Sequence, residues 1–289
     1  MNLNLSPRQS RALLAAVIIT RSTAMLFSKL ILQTVSPFSL LAIRFLLAFL
    51  LLLLIVHRQM RAVSASTLKK GLTLGVVFTG VMTLEMYGLR ATSASVTSFL
   101  ENSAVVLVPL LHAVLIRKMP SGRILCGSVT ALIGVGLLTL YSANNQFGFG
   151  VLFCLGAACL YSIAILLTGS YSQTEDPLQL GILQVGCIGV CSLLLALVTG
   201  SFSFIMTPIN YFYVLILAVV CSGFGFTLQP VAQKNVEVDT AGMFCALNPL
   251  SCTLLGILVL HEDYTIVSIA GCLLILLGVI LPHLKRSKG

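Results

Sequence analysis

Five ionisable side chains lie inside long apolar runs of this chain: Arg21, Lys29, Arg44, Glu85 and Glu101. An ion in such a run is costly unless it is paired, wetted or put to use, so each of the five asks for a partner. At ~1.5 Å of rise per residue from the outer ends of their helices, Lys29 and Glu85 fall about 5 to 6 Å deep, Arg44 about 11 Å, Glu101 about 14 Å and Arg21 about 17 Å. Matching depth to sign predicts two groups. Lys29 and Glu85 form a shallow structural ion pair, near enough to the interface for both to snorkel. Glu101 with Arg21 or Arg44 forms a deeper cluster lining a polar cavity. That cluster either binds the charged group of a substrate or exchanges a proton with it. Glu101 is its expected centre, because a carboxylate near the midplane needs water or a partner, and both belong in a cavity.

The second half of the chain carries no charge inside its apolar runs. Its expected polar contributions to the cavity are Tyr161, whose ring could stack on a substrate, and Gln184, Gln229 and Asn248. Asn248-Pro249 and Pro109 are placed to loosen their helices and free backbone carbonyls near the site. His112 has no carboxylate on its own turn and reads as a hydrogen-bonded core residue rather than a proton carrier. The nine cysteines all sit in apolar runs without CxxC or Cys/His spacing, so they read as small core residues. No metal site and no cofactor are expected.

The elements that must hold these groups follow from composition. With 58% hydrophobic and 9% charged residues and a mean hydropathy of +1.06, the chain would aggregate in water, so its solvent is the lipid bilayer. Runs of about twenty apolar residues without strict alternation call for helices, because only helices and closed barrels satisfy the backbone in hydrocarbon. The expected spans are 12–32, 37–57, 69–89, 92–117, 122–141, 148–169, 179–199, 210–232, 240–260 and 265–284. The fold class is therefore an all-α membrane protein of ten transmembrane helices.

A shift of 144 positions lays the stretch 83–137 on 227–281 without a gap. Thr83-Leu84 falls on Thr227-Leu228, Gly127 on Gly271, Gly134-Val135 on Gly278-Val279 and Arg90 on Lys234. Such self-similarity marks an internal repeat, dividing the chain into residues 1–143 and 144–289 with five spans each. An odd number of spans per half inverts the second copy relative to the first. Inverted repeats are the construction that lets a transporter exchange inward-open and outward-open states.

The net charge of +9 does not form a basic face, as a nucleic-acid binder would need; it sits in the links. With the N-terminus inside, 13 basic residues of links and termini fall on the cytoplasmic side and only Arg90 outside. Both termini are thus expected in the cytoplasm of a cell-membrane protein. Gly71 and Gly75, Gly127 and Gly134, Gly181 and Gly186, and Gly271 and Gly278 read as close helix contacts.

Ser36-Pro37-Phe38 with Ala42-Ile43-Arg44-Phe45, the run from Tyr87 to Ser95, Val105 to Leu111 with Arg117-Lys118, Ala232-Gln233-Lys234, Leu247-Asn248-Pro249 and Leu260-His261-Glu262 occur in register with the repeat. Together they resemble the EamA-type transporters of the drug/metabolite transporter superfamily over nearly the whole chain. The resemblance implies ten helices, a central cavity, and movement of amino acids, related metabolites or drugs. It also implies a clamp role for Arg44 on the second helix. The chain departs from the family at Arg21-Ser22-Thr23 before Lys29, where the family carries Trp-Gly-Ser before its lysine, so substrates of better-known members do not transfer.

The function expected is a secondary transporter of small polar metabolites, such as amino acids, working by alternating access, with protons as an optional coupling ion. Multidrug or cation efflux on the same fold is the alternative. A membrane-integral enzyme would need paired acidic, histidine or cysteine clusters, and Glu175-Asp176 and His261-Glu262-Asp263 have no matching partners. A scaffold would need neither buried ions nor an inverted repeat.

Overall fold

The computed structural model describes residues 5–92, 94–140, 149–204, 206–251 and 266–281. The described residues are helical almost throughout. In order they form α1 (Pro7–Ile31), α2 (Pro37–Met60), α3 (Ala65–Ala91), α4 (Ala94–Asn102), α5 (Ala104–Ile116), α6 (Gly122–Leu140), α7 (Gly150–Thr174), α8 (Pro177–Val198) and α9 (Pro208–Ile216). A π-helix follows (Leu217–Phe226), then α10 (Thr227–Gln233), α11 (Val238–Phe244) and α12 (Ile266–Ile280). Helix starts follow local chemistry. Ser6, Ser36 and Asp176 each precede a proline at the first helical position and accept from backbone N–H groups of the first turn, as does Ser64 ahead of Ala65. Proline there loses nothing, since its missing N–H would have no helical partner.

Seven helices among the described residues are long and apolar enough to cross a membrane. They correspond to the expected spans one to four and six to eight. The expected fifth span is the shorter apolar helix α6 and the tenth is represented by α12. The ninth span is described only as far as residue 251, and His261-Glu262-Asp263 lie outside the described residues. The outer surface is greasy: Leu54 is 76% exposed, Ile55 79% and Val114 74%. In water such a surface would associate; against acyl chains it is at rest.

Two spans are broken midway. α4 gives way to α5 at Ser103, where the Ser103 hydroxyl and N–H both donate to the Leu100 carbonyl at 2.6 and 3.2 Å. α11 ends at Phe244, the chain turns through Cys245 and Ala246, and helical backbone resumes at 247. The prolines were expected to do this, yet the breaks lie upstream of Pro109 and Pro249. The two breaks fall within two residues of one another in the repeat, since Ser103 corresponds to Leu247 and the second break lies at 245–246.

α3 packs against α7 and α8, α2 against α8, and α1 against the π-helix. α6 and α12 pack along one another as a reciprocal pair. A Cβ placed on Gly134 would stand 2.7 Å from the Gly271 carbonyl oxygen and 2.8 Å from the Ile275 nitrogen. One on Gly278 would stand 2.6 Å from both the Gly127 oxygen and the Ala131 nitrogen. Each set maps onto the other under the 144-residue shift, and the backbones touch because no side chain intervenes.

Polar contacts gather at the two ends. At one, Lys70 Nζ meets Glu175 Oε1 at 2.6 Å, Gln179 Nε2 donates to the Gln59 carbonyl at 2.8 Å, and Asn235 Nδ2 to that of Leu5 at 2.9 Å. At the other, Ser36 and Ser39 donate to the Ser201 carbonyl at 2.9 and 2.7 Å and Asn210 Nδ2 to Thr34 Oγ1 at 3.1 Å.

Candidate functional site

A cavity of about 40 Å³ lies between elements of both sequence halves, its polar wall formed by Arg21, Arg44, Glu85, Glu101, Asn102 and Asn248. That is room for about three waters at ~10–15 Å³ of centre space each. Two positive and two negative groups thus share one small space, formally neutral as a set. Glu101 and Asn102 stand at the α4 break and Cys245 and Asn248 at the break after α11, so both interruptions open onto the cavity.

Arg21 reaches it from the middle of α1. Its Nη1 donates to Gln229 Oε1 at 2.6 Å and to the Tyr161 hydroxyl at 3.3 Å. Its guanidinium lies 4.0 Å from the centre of the Phe226 ring and 5.4 Å from that of Tyr161, within cation–π range. Phe226 is fixed edge-on by Phe45 at 5.1 Å and Phe78 at 5.5 Å. A Cβ on Gly225 would stand 2.6 Å from Arg21 Cγ, so only glycine lets the arginine stem lie there. Arg44 is 1% exposed; its Nε donates to Ser222 Oγ at 3.0 Å and its guanidinium lies 4.8 Å from the Phe45 ring.

Phe226 and Ser222 both come from the π-helix, a form that recurs at functional sites because its wider turn re-aims side chains. Pro230 cannot donate to the Phe226 carbonyl four residues earlier. Gln184 Nε2 supplies that donor at 2.9 Å.

The repeat is written into the lining. Met82 and Phe226, and Glu101 and Cys245, are pairs related by the 144-residue shift, and all four line the cavity. Glu85 lines it as well, and its counterpart Gln229 touches it through Arg21.

Several expected positions move. Lys29 and Glu85 do not pair: Lys29 Nζ donates to the Leu89 carbonyl and, at 2.9 Å, to that of Thr92, whereas Glu85 faces the cavity beside Arg21 and Arg44. Counting from helix ends set the two level, but Lys29 meets carbonyls one to two turns beyond Glu85 on α3, and it is Arg21, eight residues or ~12 Å back along α1, that shares the cavity with Glu85. Nor does Glu101 close a salt bridge with either arginine, although all three line one space. Gln184 is not on the cavity; it is fully buried behind Phe226. Gln229 holds Arg21, Tyr161 lines the cavity and holds Arg21 as well, and Asn248 lines the cavity. His112, which has no carboxylate on its own turn, meets Asp239 of α11 at 2.7 Å.

The sequence reading missed Phe226, Met82 and Asn102. Phe226 and Met82 were discoverable, because both sit three residues before polar positions already singled out, Gln229 and Glu85, on the same helix face. Asn102 carried no separate signal beside Glu101.

The sequence model of the EamA-like transporter family matches residues 11–140 and 148–282. A protein of Archaeoglobus fulgidus named an uncharacterized transporter is 27% identical over 89% of this chain and 80% of its own length. The uncharacterized transporter YetK of Bacillus subtilis is 24% identical over 95% of this chain and 87% of its own. A solved crystal structure superposes with a TM-score of 0.80 at 18% identity, covering 96% of this chain and 97% of that one; it shares the fold.

Proposed function

Because this chain belongs to the EamA-like transporter family, a family of membrane transporters, we propose that it is a secondary transporter carrying small polar metabolites, amino acids or related compounds, by alternating access. The observation that carries this reading is the single cavity holding Arg21, Arg44, Glu85 and Glu101 where two broken helices meet. Unwound backbone beside buried ions is how transporters of inverted-repeat design bind polar solutes midway through the bilayer. A lipophilic drug would require an apolar chamber instead, and a simple cation would meet two arginines.

We read the architecture as ten transmembrane helices in two inverted five-helix repeats, residues 1–143 and 144–289. Three observations support it: the reciprocal Gly134 and Gly278 contacts, the breaks that fall within two residues of one another under the shift, and the shift-related residues on one cavity. Reciprocity of this kind is what a two-fold relation between halves produces. The cavity and its lining residues Arg21, Arg44, Glu85, Glu101, Tyr161 and Asn248 form the substrate site, with Gln229 positioning Arg21 and Gln184 supporting Phe226.

The termini are placed in the cytoplasm and the protein in the cell membrane, on the strength of the basic links that share one end with Lys70, Gln59 and Asn235. Impermeant thiol labelling of single cysteines in intact cells should mark position 93 and spare position 121. The reverse pattern would invert the topology.

Transport itself is tested with the full chain in sealed proteoliposomes loaded with radiolabelled amino acids. Flux is expected in the wild type and is lost in Glu101→Gln. If a pH gradient drives wild-type flux while Glu101→Gln retains only substrate exchange, Glu101 also carries the coupling proton. Wild-type flux in a well-folded Glu101→Gln protein would remove the carboxylate from the site.

A further inference from the structure

The link between α5 and α6 carries three exposed cations, Arg117, Lys118 and Arg123. Arg117 is the one non-glycine residue at positive φ among the described residues, with φ 52° and ψ 36°. It closes α5 in the left-handed conformation, its N–H directed to the Ala113 and Val114 carbonyls, and the Lys118 N–H donates to the Ala113 carbonyl at 3.1 Å. Glycine is the usual residue at such a helix end, because a Cβ there crowds the backbone. Orienting the chain does not require the strain, since Lys118 and Arg123 beside a glycine would supply positive charge. Nor does the repeat require it: under the 144-residue shift Arg117-Lys118 falls on His261-Glu262. Among the described residues, no side chain accepts from Arg117 or Lys118.

The surroundings narrow what does accept. Just before the cations Val114 is 74% exposed and Leu115 69%, and Met119 just after them is 83% exposed. Where α6 begins, a Cβ on Gly122 would meet nothing within 4 Å, so the space over the link is open. Two cations without protein partners, set against an apolar wall, fit a molecule with a negative head and an apolar tail. We propose that this link binds the headgroup of an anionic phospholipid. Arg117 and Lys118 donate to its phosphate oxygens, the guanidinium fork matching two of them at once, and its acyl chains lie along Val114 and Leu115. A soluble anion would leave the apolar wall unused. A zwitterionic phospholipid brings its own ammonium, which offsets the attraction. On the topology proposed above the site faces the cytoplasmic leaflet, whose anionic lipids give it a negative surface.

The test is native mass spectrometry of the detergent-purified full chain with phosphatidylglycerol and phosphatidylcholine of the same acyl chains, a measurement that does not depend on orientation. Phosphatidylglycerol should bind the more tightly. Arg117→Gly, which relieves the backbone strain, should weaken it by about tenfold or more, the worth of charge-assisted hydrogen bonds, and leave phosphatidylcholine unchanged. Lys118→Gln gives the same readout if the first variant folds poorly. Arg61→Gln, at the α2–α3 link of the same end and on ordinary right-handed backbone, should leave both lipids at wild-type affinity. An equal loss in Arg61→Gln would reveal charge spread over the whole surface rather than a site, and would overturn the proposal. Wild-type phosphatidylglycerol affinity in Arg117→Gly would do the same. So would displacement of phosphatidylglycerol by an equal concentration of glycerol phosphate, which would reassign the link to a soluble anion.

Discussion

His112 Nδ1 stands 2.7 Å from Asp239 Oδ1 and ties α5 to α11, the two segments that run from one end of the molecule to the breaks at the cavity. One turn closer to the breaks, a Cβ on Gly242 would stand 2.6 Å from Val108 Cβ. The same two segments therefore seal one side of the cavity with a close contact and a polar tie. Asp239→Asn should loosen that side and raise the rate at which a neutral maleimide labels Cys245, which lines the cavity, by about fivefold, the equivalent of ~1 kcal/mol for a partly exposed pair. Peptide mass spectrometry reads the labelling. Equal rates in wild type and variant would show that the pair does not hold the cavity shut.

Lys29 donates to the Leu89 and Thr92 carbonyls at the C-terminal end of α3, where a cation also suits the helix dipole. Lys29→Met should lower stability by about 2 kcal/mol, as expected for hydrogen bonds from a charged donor. Because Glu85 is not its partner, the loss should be the same in a Glu85→Gln background. Chemical denaturation of the four proteins gives the comparison, and any rescue in the double mutant would restore the pairing that depth alone suggested.

Gly134 and Gly278 meet backbone atoms of the opposite helix, and backbone cannot swing aside as a flexible side chain can. Gly134→Ala and Gly278→Ala should each lower Tm, and by similar amounts, because the two contacts are the same contact seen from either copy of the repeat. A change in strain of about 1–3 kcal/mol is typical of such overpacking. One harmless and one severe substitution would speak against the two-fold relation between α6 and α12.

Glu175 bonds Lys70, Ser66 and Thr67 at the end of α7. Lys70 first, then the two hydroxyls, hold its pKa down from 4.5 to about 2. A depressed carboxylate contributes stability above its unfolded pKa and loses it as pH falls through the folded one. Wild type should therefore exceed Glu175→Gln in Tm at pH 5 and above, and the two should converge between pH 4.5 and about 2. A gap that stays constant across that window would show that the carboxylate charge plays no part.

Hydrophobicity, charge placement and the 144-residue repeat by themselves determined a great deal about this protein. A bilayer solvent and helices as the spanning form follow from one-dimensional spacing, because hydrocarbon penalises exposed backbone and buried charge wherever they occur; the expected depths do not hold for Glu85, which was set level with Lys29 and instead shares the cavity of Arg21 and Glu101. Azimuth and tertiary partners do not follow from spacing. Lys29 and Arg21 share a helix, yet one caps α3 and the other stacks on Phe226. Gln184 read as a cavity residue until the structure placed it on the carbonyl that Pro230 leaves without a donor. The breaks at Ser103 and Cys245 lie upstream of the prolines that were expected to cause them, and the π-helix has no counterpart in the first copy. Each of these depends on which neighbour a helix face meets across the bundle, and that is settled by packing between segments a hundred or more residues apart rather than by any local pattern.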